Sequence, residues 1–202
     1  EHIYSFHTQS FNGVTTDGLN MVAQNGGTYA GENTEYGKDP NTDPNTQGGY
    51  TYETLYPRGY TWLRNVRRDE SPENAQFSVT FKQTDFNKQV SDSKGLNLKW
   101  TALNDWTPSS VGIATAETPK RSHNKNIPEL DYMLIHRKSE NRLDTLFTSV
   151  IQPYNGEEYI ESMNSVALTI ADGEETDDDT AKAVKVTLKN GRTDYIIYAT
   201  NN

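Results

Sequence analysis

Short extended runs of alternating apolar and polar residues dominate this chain. The cleanest is Gln76 to Lys82, where Phe77, Val79 and Phe81 fall on one side and Ser78, Thr80 and Lys82 on the other. That period of two is the mark of a strand with one buried face. Ile3 to His7 alternates in the same way, as does Gly95 to Leu103 through Leu96, Leu98 and Trp100. Leu19 to Val22 predicts a weaker strand, and Val111 to Ala114 a short one inside a long loop from Asn104 to Pro128. Tyr50 to Val66 is rich in aromatic residues (Tyr50, Tyr52, Tyr56, Tyr60, Trp62) around a turn at Pro57-Arg-Gly59, and Arg67 to Asn74 is a charged turn.

The most informative stretch pairs Leu130 to Lys138 with Asp144 to Tyr154. Leu134 and Ile135, then Leu146, Phe147, Val150 and Ile151, supply strand-forming content on either side of the short polar link Ser139 to Arg142. This spacing predicts a β-hairpin feeding a core, with Pro153 stopping the second strand because proline cannot donate a ladder hydrogen bond. Further strands are predicted over Ile160 to Ile170, Ala183 to Leu188 and Thr193 to Ala199, the last two joined by an Asn190-Gly191 turn. No segment keeps a 3.6-residue period over three turns. Many brief strands between turn formers predict an all-β fold: one antiparallel, two-layered β-sandwich domain over residues 1–202, with little or no helix. Trp62 and Trp100 are expected in its core.

Composition narrows the function classes. The hydrophobic share is only 33%, offset by 12 Tyr, 6 Phe and 3 Trp, whose rings bury much area each. The formal charge is -9 with no basic stripe, which argues against nucleic-acid binding, since phosphate contacts need clustered Lys or Arg. Cysteine is absent, so there is no disulfide framework, thiol nucleophile or cysteine zinc site. No apolar run approaches the roughly 20 residues of a membrane span. The start at Glu1-His-Ile-Tyr, already strand-like and without an initiator Met, is expected of a mature or excised piece of a larger protein.

Several segments resemble the β-sheet region that follows the helical toroid in heparinase II/III-type polysaccharide lyases. They are His2-Ile-Tyr-Ser-Phe-His7, Gly27-Thr-Tyr-Ala-Gly31, Tyr60-Thr-Trp-Leu-Arg-Asn-Val-Arg-Arg-Asp69, Leu96-Asn-Leu-Lys-Trp100 with Asn104-Asp105, and both halves of the expected hairpin. They cover most of the chain in one order. The resemblance implies a secreted, periplasmic or cell-surface bacterial protein, an acidic uronate-containing polysaccharide as partner, and a catalytic domain in the same chain. Elimination chemistry in that family draws on tyrosine and histidine from the toroid and the adjoining sheet. The segments that match here include none of the catalytic signature. Ser122-His-Asn-Lys125 echoes a family His-Asn-Thr segment, but in a Lys/Pro-rich loop, so no catalytic residue is assigned.

The expected role is therefore that of a non-catalytic, carbohydrate-binding accessory module. Trp106, Tyr56 and Tyr60 are the candidate sugar-stacking rings; Asn104, Asp105, Arg64, Arg67 and Arg68 are the candidates for hydroxyls and carboxylates. Two rival readings are a small β-sandwich lyase with its own His/Tyr/Arg site, built on His123 or His7, and a purely structural module bracing the toroid. His2 and His7, five apart on a strand, fall on opposite faces and make a poor metal pair. His136 is expected on an outer face. No cofactor is assigned. Calcium could use the acidic turn Asp172 to Asp179, which lacks calcium-loop spacing, or the series Asp39, Asn41, Asp43 and Asn45, alternating along a loop; solvated turn chemistry is the stronger reading of both.

Overall fold

The computed structural model describes residues 1–38, 58–85, 88, 94–117, 129–169 and 181–199. Of the features named above, Tyr56, His123, the Asp39–Asn45 series and the Asp172–Asp179 turn lie outside them. Among the described residues, twelve strands alternate with turns: β1 (His2–His7), β2 (Ser10–Asp17), β3 (Val22–Ala23), β4 (Arg64–Asp69), β5 (Ser78–Gln83), β6 (Leu96–Ala102), β7 (Ser110–Ala116), β8 (Leu130–Arg137), β9 (Ser149–Asn155), β10 (Ile160–Val166), β11 (Ala181–Leu188) and β12 (Thr193–Ala199). One 3₁₀ turn, Arg58–Trp62, precedes β4.

All pairings are antiparallel and form three sheets, ordered β1-β8-β7-β4-β3, β2-β5-β6-β9 and β10-β11-β12. The first two face each other, as the alternation demands. Val79, Phe81, Trp100 and Ala102 from one sheet meet Val111, Ile113, Met133 and Ile135 from the other, all at most 2% exposed. The all-β sandwich expected from sequence is thus present. The third sheet adds a smaller core of Leu103, Ile160, Val184 and Val186, against which Val150 packs.

The predicted hairpin does not form. β8 pairs with β1 and β7 in the first sheet, whereas β9 pairs with β6 in the second, so residues 138–148 cross from one layer to the other. Leu146 and Phe147 belong to this crossing rather than to a strand. Thr148 N–H donates to Asn104 Oδ1 at 2.9 Å, Trp106 Nε1–H to the Leu146 carbonyl at 3.1 Å, and Phe147 packs on the core. Apolar residues in a sandwich can be buried by either layer, and local alternation does not say which. Pro153 lies within β9, opposite Leu98. It is tolerated because β9 is an edge strand and the missing N–H has no ladder partner to lose.

Two other corrections concern polar strands. β2 has almost no apolar pattern, yet Ser10 is fully buried because its hydroxyl bonds Asp131 Oδ2 at 2.7 Å. β4 takes in Arg67, Arg68 and Asp69, which the sequence placed in a turn, because they pair with Ile113, Gly112 and Val111 of β7.

The outer face of the first sheet is also covered over β4, β7 and β8. Residues 24–37 and the 3₁₀ turn lie over it, giving a second cluster of Tyr29, Leu63, Val66, Ala114, Ala116 and Leu134 with Tyr60 and Tyr132 at its margin. Gly112 makes this cover fit: an added Cβ would sit 2.3 Å from the Tyr29 hydroxyl oxygen and 2.5 Å from its ring. The tyrosine lies directly on the glycine backbone.

Candidate functional site

The eight residues singled out in sequence separate into two groups, apart from Tyr56, which is outside the described residues. Asn104, Asp105 and Trp106 follow β6 and hold the 146–148 crossing. Trp106 is not an open platform. Its Nε1–H is bonded to Leu146, Phe147 stands edge-on to it at 5.2 Å, and the Arg137 guanidinium sits 4.6 Å over its ring. Asn104 is 2% exposed. Asp105 pairs with Lys182, whose side chain is only 4% exposed. These three residues act structurally, bracing one wall of a groove between β9 and the third sheet.

Tyr60, Arg64 and Arg68 lie toward the outer face of the first sheet, but the arginines are not a clamp. Arg67 and Arg68 are successive strand residues and so point to opposite sides. Arg67 Nη2 reaches the Val14 carbonyl at 3.4 Å, while Arg68 lies 4.1 Å over the Tyr29 ring and donates to the Tyr29 carbonyl. A register shift between Arg64 and Arg67, with Asn65 at φ 55°, separates Arg64 from both.

Under this cover lies a hydrogen-bonded cluster that sequence reasoning missed. His136, expected on an outer face, is 4% exposed. Its Nδ1 lies 2.7 Å from Glu1 Oε1, and its Nε2 lies 3.0 Å from the Tyr29 hydroxyl and 3.4 Å from that of Tyr60. Burial pushes the imidazole below its ordinary value despite the Glu1 hydrogen bond, so the ring is neutral at pH 7. A carboxylate can only accept, hence Nδ1–H donates to Glu1 and Nε2 accepts from the tyrosines. Burial pushes the Tyr29 hydroxyl up to about 12 and raises that of Tyr60 as well, so both remain donors. Burial alone would raise the Glu1 carboxyl, but the His136 hydrogen bond and the Lys138 charge outweigh it and hold it low. Histidine, tyrosine and arginine do meet here, as the rival lyase reading requires, though around His136 rather than His123 or His7. With His136 and Tyr29 each 4% exposed, a polymer cannot reach them. The cluster clamps the cover to the sheet.

Near these candidates the open aromatic surface is at Trp62, which the sequence placed in the core. Trp62 is 52% exposed. The 3₁₀ turn explains the difference: with three residues per turn, Tyr60 and Leu63 share the inward side and Trp62 falls out of phase. A period-two reading of Tyr60-Thr-Trp puts Trp62 with Tyr60 instead. The indole rests on Gly37, where an added Cβ would lie 3.0 Å from the ring, and meets Tyr36 edge-on at 5.3 Å. Gly37 has φ 72° and its N–H donates to the Thr61 carbonyl at 2.8 Å, which ties the 24–37 segment to the turn.

Arg64 completes this surface. Its guanidinium lies 4.5 Å over the Tyr36 ring. Nε donates to Glu129 Oε1 at 2.7 Å, Nη2 donates to the same oxygen, and Nη2 also donates to Glu117 Oε1 at 3.1 Å. The Glu129 hydrogen bonds raise the Arg64 pKa further. Burial alone would raise the Glu129 carboxyl, but hydrogen bonds from Arg64 and Thr115 hold it below its ordinary value. Thr115 and Asn65 bond the other Glu129 oxygen. The arrangement offers an exposed ring face, a fixed cation and several hydrogen-bonding groups side by side. Comparison with family models, with curated proteins and with solved structures finds no match.

Proposed function

We propose that the chain is a non-catalytic carbohydrate-binding module that holds an acidic, uronate-containing polysaccharide for a secreted lyase of which it forms part. The observation that carries this reading is the half-exposed Trp62, seated on Gly37 and Tyr36 beside Arg64. The apolar CH face of a pyranose packs on such a ring, and neighbouring polar groups fix its orientation. Arg64 can also take a carboxylate. Its bond to Glu117 is single and exposed, whereas Glu129 is further buried and anchored by Thr115 and Asn65. A uronate would displace Glu117 from Nη2 and leave the Glu129 pair intact.

Affinity electrophoresis of the folded chain against uronate-containing and neutral glycans tests the proposal. Retardation by a uronate polymer is expected, lost in Trp62→Ala, weakened in Arg64→Met and increased in Glu117→Gln. No retardation by any glycan, or retardation unchanged in Trp62→Ala, would overturn it and favour the bracing role.

A further inference from the structure

The three sheets have six edge strands among the described residues, and five are guarded against pairing with another chain. β9 carries Pro153. β2 breaks register between Ser10 and Val14, with Gly13 at φ 90°. β3 has two residues, and β10 breaks register between Ile160 and Ser162 beside the exposed Glu161. β1 turns His2, Ser5 and His7 to solvent beside a single exposed aliphatic residue, Ile3.

β12 has none of these devices. It pairs with β11 in unbroken register from Thr193 to Ala199, and among the described residues no strand pairs with its other edge. Tyr195, Ile196, Ile197 and Tyr198 are 61%, 55%, 66% and 53% exposed, so both faces of the strand are apolar and wet. Ile196 and Tyr198 overhang the groove of about 310 Å³ whose opposite wall includes Phe147 and Val150.

We propose that β12 pairs with β12 of a second copy of this chain, in antiparallel register about Ile196, to make one continuous six-stranded sheet. A two-fold axis normal to the sheet keeps like faces together, so opposed residues share a face. Ile196 then faces its own copy, Tyr195 faces Ile197, and Asp194 faces Tyr198. Asp194 is the only charge on the strand, so no like charges meet. Aromatic–β-branched pairs of this kind stabilise sheets. The four side chains leave on the order of 500 Å² exposed per copy, of which edge pairing covers only the flanks turned to the partner strand while both sheet faces stay wet, so the interface falls below roughly 1,000 Å² in all. The dimer should therefore be weak, forming toward the high-micromolar end of chain concentration. This proposal does not depend on glycan binding.

Sedimentation velocity across a dilution series from low to high micromolar chain reads the association directly, and hydrogen exchange reads the β12 amides. Concentration-dependent dimers with slowed exchange in β12 are expected. Ile196→Lys sets two ammonium groups opposite each other and should abolish the dimer. Ile197→Lys, on the face away from the groove, should weaken it at least tenfold and serves if the first variant folds poorly. A wild-type chain that stays monomeric throughout overturns the proposal. So does a dimer undiminished in both variants, or one that leaves β12 exchange unchanged.

Discussion

Replacing Gly112 with alanine tests the physical basis of the buried cover, because one methyl group must displace a tyrosine that has nowhere to go. Gly112 is not among the positive-φ glycines, so alanine fits the backbone, and in a strand interior it should gain about 0.5–1 kcal/mol over glycine. Against that gain, the new Cβ would stand 2.3 Å from the Tyr29 hydroxyl oxygen, about 1 Å inside contact distance. Tyr29 cannot swing aside. Arg68 lies 4.1 Å over its ring, Tyr60 stands edge-on at 4.8 Å, and His136 is stacked at 5.8 Å. Forced overpacking costs about 1–3 kcal/mol, and breaking the Tyr29–His136 hydrogen bond inside the cover about 1–3 kcal/mol more. The net expectation is about 3 kcal/mol of destabilisation, or roughly 9 °C in Tm for a chain of this size. Urea denaturation gives the number, provided the slope m is unchanged. The decisive comparison is the same substitution in a Tyr29→Ala background, where the clash is gone and Gly112→Ala should be neutral or stabilising. A loss below about 0.5 kcal/mol in the wild type, or equal losses in both backgrounds, refutes the argument.

Two further outcomes follow from buried charge and burial of histidine. His136 is held below its ordinary value of 6.5, so the unfolded chain binds this proton first as pH falls. Stability should be flat above about pH 6.5 and decline as pH drops below it, with a further loss below about 4.5, where Glu1 titrates in the unfolded chain. Urea midpoints between about pH 7 and pH 5 should show that slope, and His136→Gln should flatten it; an unchanged slope in the variant counts against the cluster as its source. Asp105→Ala leaves the Lys182 ammonium, 4% exposed, one partner short and should cost about 1–3 kcal/mol, discounted because Asp105 itself is partly wet. Lys182→Met should cost less, since its side chain lines the same mostly apolar groove as Val184, Phe147 and Ile196, and thermal unfolding that ranks the two the other way refutes this.

Period-two alternation was enough to specify strands at Phe77-Val79-Phe81 and Leu96-Leu98-Trp100, and with them an antiparallel sandwich, because the alternation is itself the cause of a half-buried sheet. The Asn190-Gly191 turn between β11 and β12 was legible for the same local reason: Gly191 adopts φ 89°, which glycine reaches without strain. Pairing partners were not legible. Leu134 and Phe147 carry the same apolar signal whether they close a hairpin or fall on separate layers, and only the competition of β1, β6 and β7 for edges sends them apart. The site follows the same division. Aromatic and arginine residues near Tyr60 could be picked from sequence, but a single 3₁₀ turn decided that Trp62 faces water. A crossing loop likewise spent Trp106 on Phe147 and Arg137. Exposure depends on local phase and on what packs over a residue from elsewhere in the chain, so side-chain type and spacing determined the strands of this protein, and the tertiary structure decided which rings remain exposed.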